Sequence, residues 1–207
     1  MKTAEFRVES IRRLAAAGLP TNPRLPFLEA ALEPRPQDEV VSRALALHGV
    51  VAAAYGYPRD RALQWIRREE LWEQLTAEEQ RFLEVQTEEP KAIRLGVEAL
   101  GALGWALSVI PSCEPFQKLP PTLVKKFPDL LRGEGTGQFR EASRLREQLE
   151  LLGMLDLLYC AHWAVRHGEL GGPTLRSIQP LPAIVERRRA LEWLLTRTGW
   201  DDVPLDT

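Results

Sequence analysis

LELLGMLDLLYCAHWAV, residues 149–165, is apolar on every side when wound as a helix. A helix that is greasy all round is buried all round. Yet this one carries Glu150, Asp156, Tyr159 and His162. Buried polar groups must find partners or they cost stability. The run therefore reads as the centre of the fold and as the holder of a polar network. That network is either structural or the seat of function.

Outward from this run, the pattern is helical throughout. A helix from about Gln138 to Arg166 contains it, and Gly168 ends it. Gly171, Gly172 and Pro173 then mark a loop, and Pro182 to Thr198 reads as the last helix. On the other side, Ser112 to Gly137 is rich in Pro and Gly, with room for a short helix near Leu119 to Leu131. Lys91 to Val109 is a helix whose Gly96, Gly101 and Gly104 cost propensity, so close approach by a neighbouring helix is the expected return. Thr76 with Glu79 forms a capping box ahead of Phe82 and Leu83. Asp60 suits the N-cap of a helix ending near Gln74. Pro36, with Asp38 and Glu39, opens a helix that Gly56 to Pro58 break. Thr3 to Ala17 carries Phe6, Ile11 and Leu14 on one side. No segment alternates long enough to be a strand. The expectation is an all-α, single-domain bundle over residues 1–207, with about seven helices around a buried central one.

Composition narrows the function classes. The 207 residues suffice for a self-contained core. A net charge of -2 argues against a general nucleic-acid binder. Two cysteines, Cys113 and Cys160, with the second inside the buried run, make no disulfide framework. The opening MKTAEFRVESIRR does not read as a signal peptide, and Leu95 to Ile110 is too short to span a bilayer. A cytoplasmic location is expected, with no membrane partner. Asn22 is the only asparagine and Arg far outnumbers Lys, a usage that fits a thermophile and also a GC-rich genome.

Short motifs in a fixed order carry a resemblance. Gly18-Leu19-Pro20, Leu25-Pro26, Glu39-Val40, Arg43-Ala44 and Leu47 come first, then Leu75-Thr76 with Glu79, Phe82 and Leu83. Glu98-Ala99-Leu100 and Trp105-Ala106-Leu107 follow. The C-terminal third adds Glu150, Leu152, Asp156-Leu157, Tyr159, His162-Trp163-Ala164, Glu186-Arg187, Ala190-Leu191, Trp193-Leu194, Trp200-Asp201-Asp202-Val203 and Asp206-Thr207. Together they resemble a bacterial family known only as domain of unknown function 4272. Gly153 and Cys160 depart from the Asp and Arg usual there, and Arg188 and Glu192 from the frequent His and Asn. The resemblance implies no activity.

The polar residues support competing readings. Asp156 falls on a stripe with Leu149, Leu152, Tyr159 and Trp163, while His162 points about 100° from Trp163. Asp156 is a base or metal ligand beside His162, or a buried carboxylate held by an arginine, with Arg187 the best candidate. A zinc site is poorly supported: His48, His162, His167, Cys113 and Cys160 show no paired spacing, and Cys160 and His162 diverge on a helix. Asp201, Asp202 and Asp206 could hold Mg²⁺ or Ca²⁺; the plainer reading is a tail pinned by Trp200 and Val203 with its acids paired to arginines. Arg187, Arg188 and Arg189, with Arg176 and Arg197 nearby, read as a solvated face plus one inward arginine rather than a phosphate receptor. Residues 133–137 lack the Gly-Lys-Ser/Thr ending of a phosphate loop, and no Gly-x-Ser-x-Gly elbow exists.

The candidate cluster is thus Glu150, Asp156, Tyr159, His162, Glu186, Arg187, Asp201 and Asp202, with no metal and no cofactor. The expected function is a non-enzymatic module binding a protein or small molecule. The alternative is an enzyme, of hydrolase type, using Asp156, His162, Glu186 and Arg187 with Asp201 or Asp202 closing the site. A catalytic cluster must converge on a solvent-reachable pocket, whereas a structural one is sealed.

Overall fold

The computed structural model describes residues 2–28, 32–85, 91–169 and 178–206. Eight α-helices appear, with no strand among the described residues: α1 (Lys2–Ala16), α2 (Gln37–Ala54), α3 (Arg59–Arg68), α4 (Ala77–Glu84), α5 (Lys91–Ala106), α6 (Gly137–Ala142), α7 (Gln148–Glu169) and α8 (Leu181–Leu195). Short 3-10 turns cover Trp72–Gln74 and Leu123–Lys126. Packing follows the spatial order α1, α7, α8, α5, α2, α3, α4, each helix lying against the next. One hydrophobic core runs through all of these layers, from Leu14 to Val203. The loop at Gly171 to Pro173 and Arg176 lie outside the described residues.

From Leu151 to Val165, α7 exposes no residue, as its all-round apolarity requires. It does not hold the centre alone. α2 is buried along most of its length, and α5 and α8 lie between it and α7. The glycines of α5 do permit close approach, in two different ways. A Cβ on Gly96 would stand 3.2 Å from Leu47 of α2, and one on Gly101 would stand 2.5 Å from Leu119, which belongs to a loop rather than a helix.

Several helix boundaries differ from the sequence reading: α5 stops at Ala106 and α8 at Leu195, each three residues early, and α7 runs through Gly168 to Glu169. α3 starts after Pro58, which occupies the N-cap, so Asp60 falls in the first turn. It ends early because Glu70 adopts a left-handed φ of 58° and Leu71 N–H donates to Ile66 O at 2.9 Å. The residues beyond form the separate 3-10 turn. The capping box of α4 forms as read: Thr76 Oγ1 accepts from Glu79 N–H at 3.2 Å, and Glu79 Oε2 accepts from Thr76 N–H at 2.9 Å.

The expected long helix from Gln138 is two helices, α6 and α7. Between them the chain runs extended, and its N–H groups serve another helix end. Arg144 N–H donates to Leu107 O and Arg146 N–H to Ala106 O, capping carbonyls at the end of α5. The Gln37 amide grips the same strip, donating to Ser143 O and accepting from Leu145 N–H. Tertiary hydrogen bonds here outweigh local helix propensity.

Candidate functional site

The eight candidate residues do not converge; they fall into five places. Glu150 lies on the surface, 3.3 Å from Arg146. Asp156 is 1% exposed and faces α1, not α8. Arg7 Nη2 donates to its Oδ1 at 2.8 Å, Arg7 Nε lies 3.2 Å from the same oxygen, and Ser10 Oγ donates to Oδ2 at 2.7 Å. Arg7 also donates to the carbonyls of Leu25 and Pro26, so one guanidinium ties α1, α7 and the following loop together. Arg187 was the expected partner, and the structure replaces it with Arg7. The reason is geometric: α7 lies between α1 and α8, and Asp156 faces the α1 side.

Arg187 faces α5 instead. Its Nε donates to Glu98 Oε2 at 2.8 Å, and Nη1 reaches the carbonyls of Cys113, Glu114 and Gln117. Arg188 is also buried, so α8 turns two arginines inward rather than one. Successive helix residues are about 100° apart, and α8 has α5 on one side and α7 on the other. Arg188 Nη1 donates to His162 Nδ1 at 2.9 Å, and its other hydrogen bonds reach Glu192, Pro204 O and Asp206 O. His162 is therefore an acceptor at Nδ1 and is pushed down to about 4, by burial first and then by the charges of Arg188 and Arg166. Tyr159 sits half-buried between Arg188, 4.7 Å from its ring centroid, and Arg7, at 5.8 Å. Burial raises its phenol above the usual value. Burial and Asp156 also push Cys160 up to about 12, so this thiol is inert.

The remaining candidates, Glu186, Asp201 and Asp202, do share a place. They line a cleft between α2, the start of α4, α8 and the C-terminal segment. Its two cavities, about 170 and 300 Å³, share Thr76, Trp200 and Asp201. At its floor Arg43 of α2 forms a buried two-pronged pair with Glu79, Nη1 to Oε2 at 2.7 Å and Nη2 to Oε1 at 2.8 Å. Arg43 also reaches Gln74 O, while its buried Nε finds no partner among the described residues. Trp200 lies over that guanidinium, 3.9 Å from ring centroid to Cζ, and edge-on to Trp193 at 5.4 Å.

The tail is thus pinned by Trp200 and Val203, but its acids are not paired as expected. Asp201 and Asp202 are exposed and make no ion pair among the described residues. Glu73 and Glu78, also on the cleft wall, are equally free of cations. Arginine contacts with the tail go to the backbone carbonyls of Pro204 and Asp206 instead. The cationic groups of the cleft are already engaged, Arg43 with Glu79 and Arg189 with Glu186 at 3.4 Å. Desolvation raises the Glu186 carboxyl above its ordinary value against the pull of Arg189. The cleft's uncompensated charge is therefore negative.

Sequence reasoning missed Arg7, Ser10, Arg43 and Glu79. The first pair had a signal: Arg7, Ser10 and Leu14 sit at i, i+3 and i+7, one stripe of α1, and a charge on a core-facing stripe calls for a buried acid. Among the described residues, no group of three or more His, Cys, Asp or Glu is arranged to hold a metal ion. No helix is long and apolar enough to cross a membrane among the same residues.

The geometry defines an all-helical protein whose C-terminal segment folds back to wall an acidic, tryptophan-lined cleft. Arg43, Leu75-Thr76 with Glu79, Glu186 and Trp200-Asp201-Asp202, motifs far apart in sequence, meet there. Residues 7–203 match the model of the family described as Domain of unknown function (DUF4272), and the chain belongs to that family. No match is found among curated proteins or among solved structures.

Proposed function

We propose that this protein is a non-enzymatic binding module and that its Trp200 cleft captures a cationic side chain of a partner protein. The observation that carries this reading is the charge imbalance of the cleft. Glu73, Glu78, Asp201 and Asp202 pair with no cation among the described residues, while Arg43 and Arg189 are spent on Glu79 and Glu186. Carboxylates beside an indole suit a lysine or arginine head group. Cavities of about 170 and 300 Å³ suit one side chain each rather than a large cofactor.

What favours binding over hydrolysis is the state of the would-be catalytic groups. Asp156 is committed to Arg7 and Ser10 out of solvent, His162 to Arg188, and Arg187 to Glu98 and three carbonyls. Each serves a different helix junction.

Calorimetric titration with lysine- and arginine-rich peptides tests the proposal. The expected result is binding that weakens with salt, as exposed charge pairs do, and that falls at least about tenfold, or 1.4 kcal/mol, in Glu78→Gln/Asp201→Asn. An acidic peptide binding equally well would refute it.

A further inference from the structure

A larger cavity lies elsewhere, beyond the C-terminal end of α5, between the Leu123–Lys126 turn and α6. Its volume is about 670 Å³, within the range of small-molecule sites. Residues of the acidic cleft, Ile93 and Gly96, belong to the other half of α5. The helix between Ile93 and Ala106 is about 20 Å long, so the two sites are separate.

The walls combine two kinds of surface. Phe127 and Phe139 stack at 4.9 Å and form the apolar side with Val109 and Pro128. The lining also includes four exposed polar residues, Ser108, Lys125, Lys126 and Gln138. None of the four has a hydrogen-bond or ion-pair partner among the described residues. The one acid on this wall, Glu134, accepts from Asp129 N–H at 2.8 Å and keeps its charge, so two ammonium groups against one carboxylate leave the wall net positive.

Ser108 adds an independent point. It takes a left-handed φ of 60° where α5 ends, with Val109 N–H donating to Gly104 O at 2.8 Å. Glycine is the residue such a helix end favours. A serine there strains the backbone and places an unpaired hydroxyl on the cavity wall. Strain of this kind collects where a side chain has work to do with a ligand.

We propose that this cavity binds a small organic phosphate, with the phosphate held by Lys125, Lys126 and the Ser108 hydroxyl and an apolar body set against the apolar side of the cavity. Two unpaired ammonium groups beside neutral donors select an anion, and lysine holds phosphate as a point charge. The apolar side of the cavity sets the preference for an ester over the free ion.

Calorimetry on the whole protein with adenosine 5′-monophosphate, phenyl phosphate, adenosine and inorganic phosphate tests this. The two esters should bind, and adenosine and inorganic phosphate should bind at least about tenfold more weakly. Lys125→Glu/Lys126→Glu alters exposed residues only and should weaken ester binding at least about tenfold. Ser108→Gly relieves the backbone, keeps the fold and should weaken it several-fold. Ester binding unchanged in the double variant, adenosine binding as tightly as its monophosphate, inorganic phosphate matching the esters, or no heat from any probe at millimolar concentration would each overturn the proposal.

Discussion

Arg7, in α1, ties its helix to two further chain segments, through Asp156 of α7 and through the carbonyls of Leu25 and Pro26. Asp156→Ala leaves that guanidinium buried and unpaired, and loss of one partner of a buried pair costs about 3–5 kcal/mol. Chemical denaturation should show this loss, and Arg7→Met/Asp156→Leu should recover much of it, since apolar replacement of a whole pair is often neutral. Asp156 was legible in the sequence as a buried acid because it interrupts an apolar stripe. Its partner was not, because nothing in the spacing of α7 and α8 says that α1 lies on the Asp156 side. His48 gives a second residue-scale prediction. Burial against Phe127 holds it down to about 4, with Nε2 on Pro128 O at 3.0 Å. In the unfolded chain it titrates near 6.5, so between about 6.5 and 4 the unfolded state binds a proton that the folded state refuses. Stability is therefore full above pH 6.5, falls as pH drops through that window, and levels off below about 4. His162 adds to the same slope. His48 alone contributes on the order of 3 kcal/mol at the acid end. Melting temperatures of His48→Phe across this range should show a flatter pH dependence than wild type.

At the scale of elements, periodicity marks which segments are helical far better than where they stop. Periodicity reports burial of a face, and every helix here buries one. Ends depend on what meets them. The 143–147 strip has helix-compatible residues, yet Gln37, over 100 positions away, holds it extended while it caps α5. No local pattern encodes that. Glu70 is a subtler case, a left-handed residue that carries no glycine to announce the turn. The exposed side chain gains little in return for a strained φ. Glu70→Gly should therefore stabilise the protein by up to about 1 kcal/mol, read as a higher denaturation midpoint with an unchanged slope. A lower midpoint would mean that the Glu70 side chain has a stabilising contact.

For the whole molecule, the recurring device is an arginine that reads carbonyls across a junction. Arg7 does this between α1 and the loop to Pro26, Arg43 between α2 and Gln74, Arg187 between α8 and the 113–117 loop, and Arg35 between the α2 entry and Trp193 and Thr198. Planar forks with several donors suit this use and lysine does not, which gives the excess of arginine over lysine a structural role whatever else shaped it. The C-terminal segment is held the same way, by Arg188 on Pro204 O and Asp206 O, and is clamped at its start where Trp200 covers Arg43. Removing residues 200–207 would uncover the buried Arg43–Glu79 pair, strip the edge contact from Trp193 and leave two Arg188 donors without their carbonyls. A half-buried tryptophan over a cation contributes about 1–3 kcal/mol, so the truncated protein should melt roughly 5–10 °C lower. Trp200→Phe keeps an aromatic over the guanidinium and should lose less than half of that. An unchanged melting temperature in the truncated protein would separate the tail from the core and leave the cleft with no fixed wall, and the cationic-ligand reading would fall with it.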